Sequence, residues 1–246
     1  MTIEQRTTKD ELGTAISDRL VTEIIAAQRD RGIAHVVLTG GSMGGLSLRS
    51  LPGASGIDWS KVHFWWGDER FVPSGSPERN DVEADQAALD ALPVPPENVH
   101  RVAGPDSVAD AEAAAAAYSD AIHNTEGDGL FDVTMFGMGP DGHVASLFPH
   151  HPAQRTEGAI AIAVHDSPKP PPDRVSLTFE CLARSRKVWL MVAGAEKADA
   201  VAAALTPGAD RWDVPASGVH GTESTVWWLD DAAAAHLPDT TRGTAD

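Results

Sequence analysis

The stretch His35-Val36-Val37-Leu38-Thr39-Gly40-Gly41-Ser42-Met43-Gly44-Gly45 decides the fold. A β-favouring run without polar alternation passes directly into a glycine-rich turn. Such runs belong to strands covered on both faces, as in a parallel sheet. The pattern recurs along the chain. Val62–Trp66 (VHFWW) precedes GDERFVP, Phe131–Gly137 (FDVTMFG) runs into GMGPDGHVASLFP, and Lys187–Ala193 (KVWLMVA) precedes GAEKADAV. Thr225–Leu229 (TVWWL) is a last buried strand. Helical patterns lie between. Leu12, Ile16, Leu20, Ile24 and Ala27 recur at helical spacing, which predicts a helix over Asp10–Arg31 ended by Gly32. A short helix is expected about Leu46–Leu51, another over Glu78–Leu92, and one over Ser107–Ile122 capped by Asp106 or Ser107. A further helix begins near Ala195. Ile160–Val164 and Arg174–Phe179 are strand candidates around the loop His165–Asp173, which Pro168, Pro170, Pro171 and Pro172 make irregular. Strands alternating with helices give an α/β fold with a mostly parallel sheet. Ligands of such sheets sit beyond the carboxyl ends of the strands, where the glycine-rich segments gather.

Composition bounds the function. The chain has 246 residues, 42% hydrophobic and 22% charged, enough for one α/β domain over residues 1–246, with 239–246 expected as a flexible tail. No apolar stretch approaches the roughly 20 residues of a membrane span. Met1–Lys9 is polar and mixed in charge, without the apolar core of a secretory signal. A single cysteine, Cys181, rules out an internal disulfide and a cysteine zinc cluster, so a cytoplasmic location is expected. The net charge of −17, from 36 acidic and 19 basic residues, argues against nucleic acid and anionic membrane as partners. A small anion would need local cations and backbone donors to overcome that field.

Three segments carry chemistry. Thr39-Gly40-Gly41-Ser42-Met43-Gly44-Gly45 offers free N–H groups, a helix N-terminus and a hydroxyl, which suits a phosphate. It lacks the spacing of a P-loop or a dinucleotide fingerprint. The plain alternative is a tight turn. The same residues fit the G-x-S-x-G elbow of serine hydrolases, with His220 or His236 as the late histidine. Trp66-Gly67-Asp68-Glu69-Arg70-Phe71-Val72-Pro73 places carboxylates and an arginine at a strand end. Arg70 there suits bidentate phosphate recognition and Asp68 suits orienting a donor or a base, against the alternative of a local salt bridge with solvated carboxylates. In Gly137-Met138-Gly139-Pro140-Asp141-Gly142-His143 a rigid loop presents Asp141 and His143 two residues apart. A neutral imidazole is a base near pH 7, and a carboxylate beside it sets its tautomer. His150, His151 and His165 follow, but their spacing matches no standard zinc ligand set. Arg174, after the proline-rich loop, and Lys197, at a strand-to-helix turn, are well placed for an anion; Lys169 lies in the loop itself.

With LTGGS, WGDERFVP, RND, GMGPDGHVASLFP, RVSLTFECL and VAGAEKADAV in this order, nearly the whole chain resembles the 6-phosphogluconolactonase family. DGHVASLFP is shared with the wider group that includes glucosamine-6-phosphate deaminases; WGDERFVP with RND is similar to the lactonase branch. The resemblance implies a three-layer α/β sandwich of the glucosamine-6-phosphate deaminase/ribose-5-phosphate isomerase type. It implies a cytoplasmic hydrolase of 6-phospho-D-glucono-1,5-lactone that needs no cofactor or metal. Its partner is then a small sugar-phosphate lactone; with the charge speaking against nucleic acid and membrane, the chain is expected as a monomer or weak homodimer. His143 matches the family's proposed base, Asp141 its loop neighbour and Asp68 an acidic site residue. Gly41 and Ser42 match the phosphate loop, and Arg70, Arg174 and Lys197 match cationic phosphate-holding positions. One departure is visible: family members often read GGSTP, whereas Met43 and Gly44 follow Ser42 here. The same motifs also fit a glucosamine-6-phosphate deaminase/isomerase or a non-catalytic sugar-phosphate sensor.

Overall fold

In the computed structural model, which describes residues 1–126 and 130–238, the apolar runs form one six-stranded sheet. Its strands are β1 (Thr2–Arg6), β2 (Ala34–Leu38), β3 (Val62–Trp66), β5 (Val133–Phe136), β8 (Lys187–Val192) and β9 (Ser224–Asp230), in the order β1-β9-β8-β5-β2-β3. Every pairing is parallel. A second, three-stranded antiparallel sheet runs β4 (Asp68–Arg70), β7 (Arg174–Leu177), β6 (Ala161–Val164). The helices are α1 (Lys9–Arg31), α2 (Asn80–Ala87), α3 (Ala111–Glu126), α4 (Phe179–Leu182) and α5 (Ala198–Ala204).

The strand period of two splits the buried side chains between two cores. On one face Val36 and Leu38 of β2, Phe64 and Trp66 of β3, Met135 of β5 and Trp189 and Met191 of β8 meet α1 through Leu12, Ile16, Leu20, Ile24 and Ala27. On the other, Val37, Trp65, Phe136, Leu190, Trp227 and Leu229 meet α3, α5 and the small sheet. These are the three layers. Each fully buried aliphatic side chain of α1 contributes roughly 1.5–3 kcal/mol of apolar burial. The helix is closed at both ends: Thr8 and Glu11 form a reciprocal capping box, and Gly32 takes the left-handed conformation at φ 81°.

Several expectations are corrected. The segment after the first glycine turn is two 3₁₀ turns, Gly45–Leu48 and Leu51–Gly53, not an α-helix. The expected Glu78–Leu92 helix is α2 followed by a 3₁₀ turn at Leu89–Ala91. The α3 helix begins later than expected because Asp110, not Asp106 or Ser107, accepts the Ala113 N–H; Asp106 instead accepts from Ser74. The strands on either side of the proline-rich loop form the separate antiparallel sheet, not part of the parallel one. β1 was not expected, since TIEQR has no apolar run; it is a half-exposed edge strand. The residues expected to be a flexible tail, 239–246, lie outside the described residues.

Candidate active site

β2 has β3 on one side and β5 on the other, so the chain leaves β2 in one direction and later returns in the other. A crevice opens at such a switch point, outside the carboxyl ends of the strands. Here it is a cleft of ≈ 300 Å³. Gly40–Met43 after β2, Asp68 and Arg70 of β4, Asn80 of α2, Gly137–Gly139 and His143 after β5, the proline-rich loop, Arg174, and Lys197 after β8 line it. The cleft thus gathers Gly41, Ser42, Asp68, Arg70, His143, Arg174 and Lys197; Asp141 touches it through His143.

The loop after β5 is rigid. Gly139 donates its N–H to the His143 carbonyl (3.0 Å) and accepts from the Gly142 N–H (2.9 Å). A Cβ on Gly139 would lie 2.0 Å from His143 Nδ1, so only glycine lets the imidazole fold back over the loop. There Nδ1 sits 2.5 Å from Asp141 Oδ1, and the ring rests against Phe148 at 4.6 Å. Burial acts to raise the Asp141 carboxyl, but the His143 hydrogen bond and the charges of His143 and Lys169 outweigh it and hold it well below the usual carboxylate range. An ionised Asp141 makes Nδ1–H the donor. Nε2 is then the lone-pair nitrogen, and it has no partner among the described residues.

The cations sort by how they are held. Arg70 Nη1 donates to the Glu78 carbonyl (2.9 Å) and Asn80 Oδ1 (2.5 Å), leaving Nε and Nη2 for the cleft. The Lys197 ammonium makes no hydrogen bond or ion pair among the described residues, while its backbone N–H donates to the Gly194 carbonyl (3.1 Å); burial first, then the charge of Lys169, lowers its pKa. Arg174, buried, is engaged by the protein itself. Its Nε donates to the Pro171 carbonyl (3.3 Å) and its Nη2 to those of Lys169 (3.1 Å) and Pro170 (3.2 Å). Only Nη1 remains, 3.8 Å from Asp68. Burial lowers the Arg174 pKa despite Asp68.

The glycine turn behind Ser42 is a partial cradle. The Gly41 N–H donates to the Glu83 carboxylate at 3.0 Å, while the exposed Ser42 hydroxyl has no partner among the described residues. A 3₁₀ turn rather than an α-helix follows directly, so the helix dipole expected at this turn is missing. Met43 is buried. Neither histidine of the serine-hydrolase reading reaches Ser42: His236 pairs with Asp199 at 2.7 Å, and His220 does not line the cleft. His150 faces Asp213 and Trp212, and His151 bonds to the His165 carbonyl.

Sequence reasoning passed over Asn80 and Ser146. Ser146 donates to Asp68 Oδ2 at 2.6 Å and fixes that carboxylate. Asn80 donates to the Asp68 carbonyl (2.8 Å). Glu69 ties β4 to α2 by accepting the N–H groups of Arg70, Asn80 and Asp81; burial and Asp81 push its carboxyl up to about 7. The usable signal was RND, three residues at the start of a helix beside a strand-end arginine.

The family described as glucosamine-6-phosphate isomerases/6-phosphogluconolactonase matches residues 7–228. A 6-phosphogluconolactonase of Streptomyces coelicolor is 48% identical over 241 residues, covering 94% of this chain and 92% of that protein. The crystal structure of 6-phosphogluconolactonase from Thermotoga maritima superposes with a TM-score of 0.83 at 27% identity, covering 93% of this chain and 99% of that one. A monomeric glucosamine-6-phosphate deaminase, 18% identical, shares the fold with a TM-score of 0.79, covering 96% of this chain and all (100%) of that one. By match, identity and architecture, this chain belongs to the glucosamine-6-phosphate isomerase/6-phosphogluconolactonase family.

Proposed function

We propose that the cleft hydrolyses 6-phospho-D-glucono-1,5-lactone to 6-phosphogluconate, with His143 as general base. The observation that carries this reading is the Asp141–His143 pair, which leaves Nε2 without a partner among the described residues in a cleft lined by Arg70, Lys169, Arg174 and Lys197. The similarity to proteins named 6-phosphogluconolactonase supports the substrate. Arg70, Lys197 and the Ser42 loop hold the phosphate, and the inner charge of Arg174 adds to the field. That anchorage turns binding energy far from C1 into orientation of the ring.

Nε2 takes a proton from water as the water oxygen bonds to C1. The carbonyl π pair moves onto its oxygen. When the carbonyl re-forms, the bond from C1 to the ring oxygen breaks, and the imidazolium returns its proton to that oxygen. The product acid ionises, so one proton is released per turnover. Asp141 stabilises the imidazolium between the two transfers. Asp68, fixed by Ser146 and Arg174, sits at the cleft wall and orients substrate hydroxyls.

The test is proton release on adding freshly generated lactone to the wild type and to His143→Gln. A general base is worth roughly 10²–10⁴-fold, so the variant loses that much kcat while still binding 6-phosphogluconate. A variant as active as the wild type removes His143 from the mechanism. Ammonia release from glucosamine 6-phosphate, without lactone hydrolysis, would select the other branch of the family.

A further inference from the structure

Lys169 Nζ lies 3.2 Å from His143 Nδ1 and 3.5 Å from Asp141 Oδ1. One ring nitrogen therefore has two suitors of opposite sign. Asp141 requires a proton on Nδ1, whereas an ammonium can donate only to a bare Nδ1. With Asp141 ionised and closer, Nδ1–H points to the carboxylate and the ammonium has nothing to donate to on the ring. Its remaining partner is the edge of a carboxylate already engaged by His143. Lys169 is thus an under-partnered cation beside the proposed base.

The backbone beneath it is the opposite of loose. Buried Arg174 donates to the carbonyls of Lys169, Pro170 and Pro171. The Ser167 hydroxyl accepts the Lys169 N–H (3.3 Å) and donates to its carbonyl (2.9 Å). A fixed backbone with a four-carbon stem delivers charge over a short arc. The other cations are differently placed: Arg70 is tied to Glu78 and Asn80, Lys197 follows β8, and Arg174 Nη1 faces Asp68. Of the cleft's cations, Lys169 is the one in contact with His143.

We propose that Lys169 is a catalytic residue, the cation that swings from its rest beside Asp141 to take the charge developing on the lactone carbonyl oxygen. This rests on the lactonase reading above. Lys169 stays protonated throughout: it receives charge when the π pair reaches oxygen and gives it up when the carbonyl re-forms. Such a contact is stronger in the transition state than with the neutral substrate, so it acts on kcat rather than on substrate binding.

Steady-state kinetics on fresh lactone, corrected for spontaneous hydrolysis, compare the wild type with Lys169→Met and Lys169→Arg. Losing an oxyanion donor costs about 10²–10³-fold in kcat, and KM is expected to stay within roughly threefold. Lys169→Arg restores the charge and is expected to regain at least about tenfold over Lys169→Met. Melting curves of both variants separate a lost charge from a lost fold. The proposal is overturned if Lys169→Met keeps wild-type kcat, if only KM rises, which would make Lys169 a phosphate anchor, or if Lys169→Arg is no better than Lys169→Met. A wild type that does not hydrolyse the lactone overturns the lactonase reading, and this proposal with it. An active wild type beside an equally active Lys169→Met overturns this proposal alone.

Discussion

Asn80 shows how one uncharged side chain sets the geometry of a charged site. Its amide donates to the Asp68 carbonyl, its Oδ1 accepts from Arg70, and its N–H caps onto Glu69. A Cβ on Gly40 would lie 1.8 Å from Asn80 Oδ1, so the glycine turn and the arginine are fitted around the same atom. Removing that amide leaves the Arg70 guanidinium with the Glu78 carbonyl alone among the described residues. Asn80→Ala is therefore expected to raise KM for the lactone about tenfold, the worth of roughly one hydrogen bond to a charged group, with a smaller change in kcat. An unchanged KM in steady-state assays would mean that Arg70 is held well enough without it. Little of this was legible in the sequence. Asp141, His143, Arg70 and Lys197 announce themselves because charged and titratable residues at strand ends have few structural uses. Ser146 and Lys169 acquire theirs only from neighbours far away in the chain, and spacing carries no trace of that; for Asn80, whose partners lie on the preceding strand, RND was the one signal.

At the scale of elements, the proline-rich loop is held by His165 as well as by Arg174. His165 bridges Asp173 (2.7 Å) and Glu112 of α3 (2.7 Å). Those two carboxylates raise its pKa above the ordinary imidazole value. A histidine raised on folding stabilises fully below its unfolded pKa of about 6.5, and the stabilisation is lost as pH rises through the raised folded value. His165→Gln is accordingly expected to lower the melting temperature most at pH 6 or below, with the difference from wild type fading at alkaline pH. A difference that grows with pH would contradict the clamp. Elements were legible in proportion to how far local pattern decided them. α1 has an unbroken apolar stripe and caps at both ends, so its bounds follow from the sequence to within one residue. β2, β3, β5 and β8 are apolar because both faces are covered. β4 reads as a loop because it is Asp-Glu-Arg, and it is a strand only because α2 and Ser146 satisfy its buried carboxylates.

At the scale of the molecule, a strongly acidic chain builds one cationic cleft by drawing Arg70, Lys169, Arg174 and Lys197 from separate elements to one edge of the sheet. The edge stays in register only if both cores hold. Leu20 is fully buried between α1 and the sheet, on the face away from α3 and the small antiparallel sheet. Leu20→Ala is expected to cost about 2–5 kcal/mol in denaturant unfolding, with kcat/KM of the folded fraction nearly unchanged. A loss of kcat/KM in fully folded protein would show that the far core tunes the cleft. The covering of both sheet faces was legible in the sequence, and so were β6 and β7 as strands; their separate sheet was not, because its third strand, β4, is Asp-Glu-Arg and carries no strand pattern.

The pairing of β1 with β9 sets a timetable. Thr2 meets Val226 and Arg6 meets Asp230, so β1 finds its neighbour only after the strands and helices between the two have been made. Until then its polar TIEQR face keeps an open ladder from recruiting strangers. Shortening the chain before β9 would deprive β1 and β8 of a neighbour at once, and refolding should be slow, because this pairing joins positions so distant along the polymer.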